Sequence, residues 1–212
     1  MFINTSSFRR AVMALALAAC AGLASAAGTL HVELDTSSFG ADGWIDLQLN
    51  GSPVSTVTTY ADLGNIVGFG SSAGAQLSNV TGSAAGGFRM ENVAGGYNDL
   101  FHAVNFSGGK ISFNISFSGD ADPTGLYGSV FSVALYGADQ FTLLGSSSNT
   151  DGSLLHLNWT PSVTVGGQGH VGAEAFASGV QVAAAVPEPS TWLMLGAGLA
   201  LVGLARRRKA AA

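Results

Sequence analysis

Ser72 stands in the stretch GSSAG (70–74), which spells G-x-S-x-G, the pattern that sets a nucleophilic serine on a sharp turn between a strand and a helix. The residues that follow, AQLSNVTG, carry no helical period, and a chain with 30 glycines produces such spellings by accident. A secreted hydrolase built on Ser72 is therefore the alternative reading. GQGHVG (167–172) spells G-x-G-x-x-G, but no strand–helix–strand unit surrounds it, so it reads as a turn. His31, His102, His156 and His170 lack the spacing of metal ligands. His102 and His156 fall in strand-like runs, where a hydrogen-bonded histidine is the plainer state. Asp120 and Asp122, in GDADP, offer oxygens that suit Ca²⁺, against the plainer reading of a turn before Pro123. Trp44, Trp159 and the tyrosines are side chains able to stack on sugar rings. No catalytic residue, no metal and no other cofactor is assigned.

The most specific chemistry lies near the end, in VPEPSTWLMLGAGLALVGLARRRKAAA (186–212). Proline fixes its own φ and biases the residue before it toward extended geometry. Pro187 and Pro189 thus hold Glu188 on a stiff, extended segment that displays one carboxylate, a form well suited to capture by a protease. Trp192 to Ala205 is uncharged and carries three glycines. As a helix it would be about 21 Å long, against about 30 Å of hydrocarbon in a bilayer. Such a short, glycine-broken span fits a temporary tether better than a permanent anchor. Arg206, Arg207, Arg208 and Lys209 follow at once and would stop the span on the cytoplasmic side.

The same topology is required at the other end. Residues 1–26 begin with Arg9 and Arg10, run through an alanine- and leucine-rich stretch, and finish in ASA. Ala24 and Ala26 are the small residues that signal peptidase requires, so this segment reads as a cleaved secretory signal. LAAC (17–20) spells a rival lipoprotein pattern, in which Cys20 would carry lipid and anchor the protein in the envelope. Cys20 is the single cysteine, so the remainder has no disulfide.

The order Val-Pro-Glu-Pro-Ser, short span, basic cluster resembles the PEP-CTERM sorting signal of Gram-negative bacteria. That resemblance implies an exosortase, an integral-membrane enzyme, as processing partner, with Pro187, Glu188 and Pro189 as the recognised residues. It also implies a link to extracellular polysaccharide and biofilm matrix. More loosely, VELDTSSFGADGWIDLQLNG and GDADPTGLYGSVFSVALYGAD resemble one group of such sorted proteins, which implies a fold but no particular activity.

The elements that would hold these residues are short strands. In KISFNISFS (110–118), Ile111, Phe113, Ile115 and Phe117 alternate with polar residues, the period of a half-buried strand. NDLFHAVNF precedes it, and the SGG between them (107–109) predicts a hairpin. LHVELD (30–35), WIDLQLN (44–50), VSTVTTY (54–60), FRMENV (88–93), SVFSVALY (129–136), LLHLNW (154–159) and VQVAA (180–184) follow the same grammar. SVFSVALY is apolar on both faces and suits a central strand. With glycine- and serine-rich turns between, residues 27–185 are expected to form an all-β body, a sandwich or jelly roll. Between residues 27 and 185 two bases face twelve acids, a net charge of −10. Such a surface repels nucleic acid and anionic lipid. The sequence thus describes an exported surface or matrix component, a signal peptide (1–26), a body (27–185) and a sorting signal (186–212).

Overall fold

The computed structural model describes residues 28–94 and 96–185. They form thirteen strands, numbered in chain order, arranged in two antiparallel sheets. One sheet has the order β13 (Val180–Ala184), β1 (Thr29–Asp35), β8 (Lys110–Gly119), β3 (Thr59–Val67), β6 (Gly87–Glu91), β5 (Val80–Ser83). The other runs β12 (His170–Ala175), β11 (Leu155–Thr160), β9 (Ser129–Gly137), β2 (Asp42–Gly51), β7 (Asp99–Asn105), β4 (Gln76–Ser78), with the short β10 (Leu143–Leu144) also paired to β9.

Alternation decides which face of each strand goes inward. In β2, Ile45, Leu47 and Leu49 are fully buried while Trp44, Asp46 and Gln48 between them are half-buried and outward. In β8, Ile111, Phe113 and Ile115 are fully buried. The two inner faces meet in one core, where Phe113 and Phe131 pack edge to face at 6.3 Å, one ring from each sheet. Such a pair adds about 0.5–1.5 kcal/mol beyond the area it buries. SVFSVALY becomes β9, flanked by β2 and β11 in the sheet interior, as its two apolar faces require.

Three local expectations change. First, β7 and β8 are not a hairpin: β7 pairs with β2 and β4, whereas β8 pairs with β1 and β3 in the opposite sheet. The SGG segment is an arch across the sandwich, so each strand aims its apolar face inward from its own side. Phe106, 2% exposed, plugs the arch against Phe39 at 5.5 Å. Gly43 makes room for it, since a Cβ there would lie 2.3 Å from the Phe106 ring.

Second, VSTVTTY does not form a strand from residue 54. Pro53 sits in a turn closed by the Ser55 amide on the Ser52 carbonyl at 2.9 Å, and the Ser55 hydroxyl then accepts the Val57 amide at 3.1 Å. A side chain that binds its own neighbouring backbone competes with a sheet ladder. Pairing starts only at Thr59 and continues through Val67, with an irregularity between Gly64 and Val67. Third, Phe117 lies at the rim and not in the fully buried core, stacked on Trp159 at 5.7 Å.

Candidate functional site

The G-x-S-x-G serine has a partner that its local sequence does not reveal. Ser72 is exposed in the loop between β3 and β4, and its Oγ lies 3.1 Å from Nε2 of His102. His102 occupies an inward position of β7, wholly buried, with Phe69 at 5.1 Å and Phe88 at 5.9 Å. Its Nδ1 stands 2.7 Å from the Ala103 carbonyl oxygen, which can only accept. Nδ1 is therefore the protonated nitrogen and Nε2 accepts from Ser72. This is the tautomer that a serine nucleophile needs, but a backbone carbonyl fills the place that a carboxylate holds in a Ser-His-Asp set. Ser72 is followed by strand β4 and not by the helix of a nucleophile elbow.

Asp122, His31 and His156 are occupied by structural bonds. Asp122 is buried, and its carboxylate accepts the amides of Thr124 (3.0 Å), Leu126 (2.8 Å) and Tyr127 (2.7 Å) as well as the Thr124 hydroxyl. The Thr124 hydroxyl, followed by these amides, holds the carboxyl below the usual carboxylate range. Asp122 thus organises the loop before β9. His31 bonds Asn114 at 2.8 Å, and His156 lies 3.3 Å from Asp151. GQGHVG is only partly a turn, because His170, Val171 and Gly172 belong to β12 and pair with β11. Among the described residues no group of three or more His, Cys, Asp or Glu could hold a metal ion.

What the strands assemble instead is a face. On the outward side of the second sheet, the registers place Glu174 beside His156, His156 beside Ser132, Ser132 beside Gln48, Gln48 beside Asp99, and Asp99 beside Ser78. This polar row crosses six strands, about 24 Å at the usual strand spacing of about 4.8 Å. Along one side of it Trp44 stacks on Phe101 at 4.9 Å, and Phe101 meets Tyr136 edge-on at 5.8 Å. A cleft of about 230 Å³ opens over the middle, lined by Asp46, Gln48, Ser132, Tyr136, Asp151 and His156 among others.

Two carboxyls in this face interact. Burial pushes Asp99 up to about 8, and its hydrogen bond with Asp46 and the charge on Asp46 push the same way. Gln48 Nε2 donates to Asp46 Oδ2 at 2.9 Å, whereas the buried Asp46 Oδ1 has no hydrogen-bond partner. Asp99 therefore keeps its proton at neutral pH. Sequence spacing offered no signal for this row: its six residues lie on six strands, and only the register unites them.

The predicted signal-peptidase residues Ala24 and Ala26, Cys20, the sorting residues Pro187, Glu188 and Pro189, the span 192–205 and the stop residues Arg206 to Lys209 lie outside the described residues. β13, the last described strand, finishes at Ala184, paired with Leu30 near the start of β1. No curated protein and no solved structure matches the chain. A family model described as the PEP-CTERM protein-sorting motif matches residues 185–209, beginning at the residue after the last paired one. The chain thus carries a PEP-CTERM protein-sorting motif, and that motif implies exosortase-dependent sorting to the envelope or the exterior.

Proposed function

We propose that this protein is exported, tethered briefly in the inner membrane by residues 192–205, cut by an exosortase near Pro187–Pro189, and delivered as a surface or matrix component. Its β-sandwich acts by binding or by structure and not by catalysis, with extracellular polysaccharide as the partner class. The observation that carries this reading is the sorting motif at residues 185–209, directly after the last sheet residue, Ala184. An acidic body with two bases, Arg89 paired to Asp62 at 3.2 Å and Lys110 to Glu33 at 2.9 Å, supports solubility outside the cell and argues against nucleic acid as a partner.

Cell fractionation tests it. Wild-type protein is expected in the surface and released fractions, and Glu188→Ala or Pro189→Ala protein in the inner membrane at full length. Equal release of the variants would contradict the reading. One observation favours a second reading, a secreted hydrolase: the 3.1 Å bond from Ser72 to His102. A fluorophosphonate probe decides between them, because labelling lost in Ser72→Ala would establish a nucleophile.

A further inference from the structure

Resting on the reading of this chain as an exported surface protein, we infer that the outward face of the β12–β11–β9–β2–β7–β4 sheet binds a neutral, hydroxyl-rich glycan chain. The sugar rings lie along the polar row, over the cleft, with Tyr136 as the stacking surface.

A sugar ring presents an apolar C–H face and a rim of hydroxyls. Its site therefore needs an aromatic surface and several fixed donors and acceptors nearby. Tyr136 lines the cleft and is steadied from the side by Phe101, itself stacked on Trp44. Gln48 and Ser132 face each other across β2 and β9 in the floor, and His156 is the next residue along the row. The hydrogen bonds among them leave capacity to spare, since an amide, a hydroxyl and a carboxylate together offer more sites than are used by the bond from Gln48 to Asp46 and the bond that Gln48 Oε1 accepts from Asn50 at 3.1 Å. The row follows the strand-to-strand direction and, at about 24 Å, is long enough for several sugar units in succession.

Charge narrows the ligand. No lysine or arginine stands on this sheet: Arg89 is on β6 and Lys110 on β8, both in the opposite sheet and both ion-paired. Asp46, Asp151 and Glu174 would repel an anionic polysaccharide. The proton that Asp99 keeps removes one negative charge from the middle of the face and leaves a surface matched to hydroxyl groups.

The test is affinity electrophoresis of the protein released by the producing cells, through gels containing a neutral β-glucan, a neutral mannan, anionic alginate or cationic chitosan. At least one neutral glycan is expected to retard the protein, and alginate is not. Tyr136→Ala and Gln48→Ala should each weaken that binding about ten-fold, the loss of one stacking or polar contact. Ser132→Trp, which fills the cleft from its floor without emptying the core, should abolish it at an unchanged melting temperature. Thr81→Ala, on an exposed position of the other sheet, should bind as wild type. Retardation by no neutral glycan, retardation by alginate or chitosan alone, or unchanged binding of the folded Tyr136 and Gln48 variants would overturn the inference. Protein correctly cut and released that binds no glycan would remove this face while leaving the sorting reading intact.

Discussion

The Ser72 hydroxyl donates to Nε2 of His102 across 3.1 Å, and the same ring donates from Nδ1 to the Ala103 carbonyl at 2.7 Å. Both polar atoms of a fully buried imidazole are thereby satisfied, one by an exposed loop serine and one by its own strand. The bond also ties the 70–75 loop to β7, alongside the amide of Gly70 on the Ala103 carbonyl at 2.9 Å.

Removing the serine should expose the structural cost of this arrangement. Ser72→Ala leaves Nε2 of His102 without its protein partner, and a buried acceptor left unmade costs about 1–3 kcal/mol. Urea melts should show a loss in that range, with no change in any activity of the pure protein. A stability equal to wild type would mean that water replaces the hydroxyl freely. Loss of a hydrolytic activity with the fold intact would overturn the non-enzymatic reading.

Phe113 tests the core. It is fully buried and meets Phe131 of the opposite sheet. Phe113→Ala should cost about 3–5 kcal/mol in urea melts, the range for emptying a buried aromatic site. A change under about 1 kcal/mol would show that the sheets do not depend on this contact.

How much of this was legible depends on whether the signal was local. The inward set Ile111, Phe113 and Ile115 could be read directly, because alternation belongs to one strand. Phe117 obeys the same alternation yet ends at the rim, since the strand runs past the buried layer beside Trp159. The β7–β8 arch has the sequence of a hairpin for a related reason: alternation fixes which face is apolar but not which strand lies alongside. VSTVTTY has the right composition for a strand, but Ser55 binds the Val57 amide first. Ser72 and His102 are thirty residues apart, and the polar row gathers residues from Gln48 to Glu174. No spacing rule connects them before the register is known. The sorting motif is the opposite case, contiguous and in fixed order, and it was fully readable.

The carboxyl pair makes a prediction about pH. Asp99 is raised to about 8 in the fold, chiefly by burial and then by Asp46, against about 3.9 in an unfolded chain. A folded state that holds its proton more tightly loses stability as pH rises from the unfolded value to the folded one. The contribution of Asp99 should therefore be fully present below about pH 4, decline across the interval and be gone above about pH 8. His156, Asp151 and Tyr136 face the same cleft, so wild type must be compared with Asp99→Asn. The urea midpoint of wild type should fall more steeply than that of the variant between pH 5 and pH 8.5. Parallel curves would contradict a raised Asp99.

The basic cluster should act differently from the sorting residues. With Arg206, Arg207, Arg208 and Lys209 replaced by serine, the span lacks its cytoplasmic stop. Some chains should then pass through the membrane uncut and appear outside at full length, whereas Glu188→Ala chains stay embedded. Pulse-chase with fractionation separates the two; identical fates would show that the charges do not set the topology.

Sorting is the central claim, and intact mass of the released protein tests it most directly, in cells with and without an exosortase. Cells that have the enzyme should release a protein lacking Trp192–Ala212, with its new end within residues 186–191. Cells without it should keep the full tail in the inner membrane. Release of a protein still ending in Ala212 from both cells, or no cut within 186–205 in either, would contradict the account and leave a plain tail anchor in its place.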